Sequence, residues 1–124
     1  MNKAEAIHDF WSSFGWTAID ENAMWDTTDD LGDRHITYEV STANLGDPVA
    51  MTASLWHLSS SWETISEKAD QIAAYIGYGG RVIAIDGGYM WVKLGNPFAQ
   101  RLAVDHSNVR RIVLNVTADF ITAT

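Results

Sequence analysis

Between Met51 and Gly77 the spacing of apolar residues changes from every second position to a step of about three and a half, which is the signature of a strand giving way to a helix. Met51, Ala53 and Leu55 alternate with Thr52, Ser54 and Trp56, so one strand face can be buried while the other meets solvent or a partner. Trp62, Ile65, Ala69, Ile72 and Ile76 then recur at steps of 3 and 4, which places them on one helical stripe. Glu63, Glu67, Lys68, Asp70 and Gln71 occupy the opposite side. Ser60 followed by Glu63 fits a capping box, and Gly77 stands where a left-handed residue ends a helix. A helix with a single apolar stripe has to lay it on another layer, and the flanking alternating segments supply a sheet.

The same reading extends along the chain. Residues 3–14 form an amphipathic helix with Ile7, Phe10, Trp11 and Phe14 on one side, and Gly15 is its natural stop. From Trp16 to Arg34 no period survives, and the Asp, Thr, Gly and Asn content reads as a long loop. Met24 and Trp25 within it are expected to tuck onto the core or against a neighbouring subunit. Residues 35–42 alternate as a half-buried strand, Asn44, Gly46, Asp47 and Pro48 turn the chain, and residues 49–58 follow as the partner in an antiparallel hairpin. After the central helix, residues 81–86 and 89–94 flank Gly87 and Gly88 as a second hairpin. Gly95, Asn96 and Pro97 open residues 95–109, which read as a loop with one helical turn. The last strand, 111–122, has both faces partly apolar and should sit inside the sheet or cross a subunit boundary. The order helix, two strands, helix, three strands predicts one α+β domain over residues 1–124, with a mostly antiparallel sheet and two main helices.

Composition narrows the function. The 47% hydrophobic and 19% charged content is that of a globular chain, so wholesale disorder is not expected. No cysteine is present, which removes disulfides, thiol nucleophiles and thiolate metal sites at once and fits a reducing cytoplasm. The start of the chain lacks a secretory pattern and no apolar run is long enough to span a bilayer, so a soluble intracellular protein is expected. A net charge of −8, from 16 acids and 8 bases, opposes binding to nucleic acid through its phosphates. Asp20, Glu21, Asp26, Asp29, Asp30 and Asp33 crowd the long loop, and a solvated acidic loop is the plain explanation.

Candidate chemistry is sparse. His8, His35, His57 and His106 fall in separate elements without zinc-binding spacing. Asp105 and His106 are adjacent, so in extended chain they point apart, and no serine sits in a G-x-S-x-G elbow. Gly77-Tyr78-Gly79-Gly80 follows a helix instead of opening one, the wrong polarity for a phosphate loop. Asp26, Asp29, Asp30 and Asp33 do not match the ligand order of a calcium loop. Neither catalysis nor a cofactor is expected. The surplus lies in aromatics: Trp11, Trp16, Trp25, Trp56, Trp62 and Trp91. Core packing absorbs most of them, but Trp56 shares a semi-polar strand face with Thr52 and Ser54 and reads as an interface anchor. Phe98, Arg101, Arg110 and Arg111 join it as candidate contacts, because aromatic and arginine residues are favoured at interfaces.

The segments HITYEV, MTASLWHLSSSWETISEKADQIAAYIG, IDGGYMWVKLGNPFAQRL and VRRIVLNVTADFIT together resemble a small protein of tailed bacteriophages and prophages, of the kind classed as minor tail, tail completion or tail terminator proteins. The likeness spans most of residues 35–122. It implies a sheet flanked by helices, with subunits closing a ring, of six copies in the family, on the end of the tail tube. The partners implied are further copies of the chain, the tail tube protein and the head connector or neck protein. DNA would pass through the ring, and the protein would reside in the virion after assembly in the host cytoplasm, with no membrane involved. In such a ring some of Asp20, Glu21, Asp26, Asp29, Asp30 and Asp33, or the strand acids Glu39 and Asp119, would line the bore and repel phosphates. Two other classes stay open: a small monomeric binding or inhibitor module, which needs only one sticky face, and a small enzyme, which needs a convergent acid or base pair.

Overall fold

Residues 110–122 alternate strictly, and the strand they form takes the centre of the sheet because both its edges find partners. The computed structural model describes residues 2–21, 34–41, 49–104 and 107–122. Its elements are α1 (Lys3–Ser12), β1 (Thr17–Asp20), β2 (Arg34–Ser41), β3 (Val49–His57), α2 (Glu63–Ile76), β4 (Arg81–Ile85), β5 (Gly88–Leu102) and β6 (Arg110–Thr122). The six strands make one sheet in the order β1-β2-β3-β6-β5-β4. Both expected hairpins are present, β2 with β3 and β4 with β5, and β6 pairs antiparallel with β3 on one side and β5 on the other.

Alternation decides the two faces. Met51, Ala53 and Leu55 of β3, Ile112, Leu114, Val116 and Ala118 of β6, and Met90 and Val92 of β5 are buried on the helix-covered side. The α2 stripe Ile65, Ala69, Ile72 and Ile76 is buried among them, and α1 adds Ala6, Ile7, Phe10 and Trp11. Phe10 and Phe14 meet the ring of Tyr75 from α2 at 6.2 and 5.3 Å. Lys68 Nζ donates to the Phe14 carbonyl at 2.8 Å, tying the two helices together. His8 Nδ1 shares a 2.9 Å hydrogen bond with the Tyr38 hydroxyl, which tethers α1 to β2.

The structure corrects three expectations. The stretch 16–34 is not loop throughout: residues 17–20 form β1, which runs parallel to β2 from Thr17↔His35 to Asp20↔Tyr38, so the sheet is mixed. Four residues are too few to display a period, and the partner strand that stabilises them lies far along the sequence. The loop expected at 95–109 is strand as far as Leu102. A register irregularity between Leu94 and Ala99 absorbs the Gly-Asn-Pro signal while the ladder resumes at Ala99↔Leu114. Gly95 is needed there, since a Cβ would come within 2.6 Å of the Asn115 carbonyl oxygen. Finally, no Ser60–Glu63 capping box forms. Ser61 Oγ accepts from the Glu63 amide at 3.1 Å, and the N-cap position belongs to Trp62. A capping box does form at α1, where Asn2 and Glu5 bond reciprocally. Gly77 does end α2, with φ +78° and its amide donating to the Ala73 carbonyl at 2.9 Å.

Candidate assembly interface

Register brings Trp56 of β3 opposite both His35 of β2 and Arg111 of β6, while Leu102 of β5 pairs with Arg111 and Arg101 with Ile112. Distant parts of the sequence thus meet at one end of the sheet. Because neighbours on a strand point to opposite faces, Arg110 and Arg111 part company there.

On the helix-free face the Arg111 guanidinium lies 4.7 Å from the Trp56 ring centre, and its Nε donates to Ser54 Oγ at 3.1 Å. Trp56 Nε1 donates to Thr37 Oγ1 at 3.0 Å, and His35 stacks beside the indole with an interplanar angle of 11°. On the helix-covered side two guanidiniums share the Trp62 ring, Arg101 at 4.7 Å and Arg110 at 5.2 Å. Arg101 is exposed and donates from Nη2 to Ser66 Oγ at 3.3 Å. Arg110 is committed internally: Nη2 donates to the Ser60 carbonyl at 2.7 Å, and Nη1 to the Ser107 and Val109 carbonyls, each at 3.1 Å. It therefore clamps the β3–α2 connection to the start of β6. Among the described residues no carboxylate lies within ion-pair distance of Arg101, Arg110 or Arg111.

Of the residues singled out from sequence, the structure gathers Trp56, Arg101, Arg110 and Arg111 at this one end. Phe98 is different: it is half-buried and packs against the core. Trp62, assigned above to the buried stripe, is half-buried and serves as the platform for two arginines. The spacing of Trp91 and Lys93 also carried a signal, since residues two apart share a strand face. Lys93 Nζ sits 4.2 Å from the Trp91 ring centre and pairs with Asp119 across the ladder. Near that second pair the helix-free face exposes Val82, Tyr89 and Ile121. Trp25 and four of the acids, Asp26, Asp29, Asp30 and Asp33, lie outside the described residues, as do Asp105 and His106. Asp20 and Glu21 close β1, half-buried and exposed respectively, and Glu39 is exposed on β2. Among the described residues no three His, Asp or Glu side chains gather as metal ligands, and no helix is long and apolar enough to cross a membrane.

Burial pushes the His35 imidazole below its usual pKa, so the folded protein favours the neutral ring against Trp56. The unfolded chain takes up that proton first, near pH ~6.5, so the stability that His35 contributes is present above this pH and is lost as pH falls through the lower folded value. In denaturant melts the wild type should lose more stability than His35→Gln between pH ~7.5 and ~5. Equal losses would show that the ring is freely solvated.

No protein-family model matches the chain, and no curated protein matches it by sequence. Among solved structures the chain is similar to one in the "Virion of native gene transfer agent (GTA) particle", with a TM-score of 0.62 and 14% sequence identity over 92% of this chain and 83% of that one. At this identity the likeness shows a shared fold.

Proposed function

We propose that the chain is a structural virion protein that caps the tail tube and joins tail to head connector as a homo-oligomeric ring, with no catalytic role. The observation that supports this reading most is the fold shared along nearly the whole chain with a component of a gene transfer agent virion. The layers of the domain support assembly as well. Both helices lie on one side of the sheet, while on the other side Val82, Tyr89 and Ile121 are exposed close together, and a contiguous apolar patch of this kind marks a surface for a partner. The aromatic and arginine end of the sheet supplies contacts to the next subunit or to the tube, and virion residence follows from that assembly.

In the ring, acids such as Asp20 face the bore and repel the phosphates of passing DNA. Several copies around one axis sum their potentials, and screening over about 8 Å at physiological salt restricts the effect to charges near the wall. Sedimentation or mass photometry of the chain, alone and with purified tail tubes, should find a closed ring of several copies. A chain that stays monomeric under both conditions would support the alternative of a monomeric binding module. Neutralising Asp20 and the aspartates at positions 26–33 to Asn should leave rings intact yet increase DNA retention at low salt. Unchanged DNA binding and ejection would remove the acidic bore while leaving the ring.

A further inference from the structure

Arginines in a chain with twice as many acids as bases have carboxylates in ample supply, and those at the end of the sheet have found none among the described residues. Arg101 and Arg111 are held by indole rings and by single neutral hydroxyls, Ser66 Oγ and Ser54 Oγ. Stacking removes part of the water around each guanidinium, and among the described residues each makes a single hydrogen bond, which leaves further N–H donors for a partner. A planar fork prepared in this way suits a carboxylate arriving from outside the subunit, which it can bind through two parallel hydrogen bonds.

The same chain carries carboxylates on another surface. Glu21 follows β1, where its amide donates to the Tyr38 carbonyl at 2.7 Å and fixes the backbone against β2. Glu39 stands on β2 two strands away from β6, and both side chains are exposed. We infer that Arg101 and Arg111 of one copy bind the Glu21 and Glu39 edge of the next copy. Because the basic end and the acidic edge are different patches, the contact is heterologous, the type that closes rings, whereas a twofold contact would stop at a dimer. Phosphate is the weaker fit, since a net charge of −8 opposes the approach of a polyanion. The inference rests on the ring reading above and names the contact that closes it.

Two charge-reversed variants test it, one Arg101→Glu with Arg111→Glu, the other Glu21→Lys with Glu39→Lys. Arg110 is left alone because it clamps the fold. With folding verified by circular dichroism, each variant alone should associate about tenfold more weakly than wild type, or less still, since like charges then face each other. Mixed in equal amounts they should regain association as alternating assemblies, because each reversed patch meets its complement. Variants that assemble like wild type would overturn the inference and leave the ring standing. A mixture that stays dissociated would overturn the pairing of these two patches, and duplex DNA binding that disappears with the arginine variant would assign the arginines to phosphate. A wild-type chain that never self-associates, alone or on tail tubes, would end both the ring and its proposed contact.

Discussion

Replacing Trp11 by alanine should cost about 3 to 5 kcal/mol, as expected for a large aromatic removed from a packed site. Trp11 is completely buried, and its ring meets Phe10 edge-on at 4.9 Å and Phe14 at 6.4 Å. These side chains pin α1 to the sheet, so truncation leaves a void that a ten-residue helix cannot collapse to fill. Domains of this kind have a total stability of about 5 to 15 kcal/mol, so the loss would bring the variant close to unfolding at ambient temperature. Trp11→Phe separates packing from polarity. The indole Nε1 is buried with no hydrogen-bond partner among the described residues, and an unmet buried donor costs about 1 to 3 kcal/mol. Phenylalanine removes that donor while keeping most of the volume, so its loss should be well below that of alanine. Urea melts followed by far-UV circular dichroism would measure both. A cost under about 1 kcal/mol for Trp11→Ala would show that α1 is not anchored there.

The second large effect is expected at Ile72→Ala, at about 2 to 5 kcal/mol. Ile72 is fully buried in the stripe that α2 lays on β3, β5 and β6. Glu67→Ala, on the exposed side of the same helix, should stay within about half a kcal/mol and serves as the control for helix propensity. If Ile72→Ala fell in the same small range, α2 would have no place in the core. The two positions lie on different helices, and their comparison measures how far each helix depends on the common sheet.

What the sequence determined by itself is the set of elements whose apolar residues keep a period. The steps from Ile65 to Ile76 marked the buried side of α2, the alternation in 49–58 and 111–122 marked the inward faces of β3 and β6, and Gly87 and Gly88 marked a hairpin. These signals are local, because backbone geometry alone converts spacing into a face. The tertiary structure decided what depends on partners distant in the chain. Thr17–Asp20 became strand only because β2 lies beside it, and the chain rejoins the ladder at Ala99 after the irregularity at 95–98, where Asn115 Nδ2 donates to the Pro97 carbonyl at 3.0 Å and Gly95 approaches Asn115 of β6 closely. The candidate interface divides in the same way. Its residue types were legible, since arginine and tryptophan stand out in an acidic chain. Their grouping was not, since the register of β2, β3, β5 and β6 sets Arg111 over Trp56, the seating of α2 on the sheet brings Trp62 beside Arg101, and both are fixed by the packing of the whole domain.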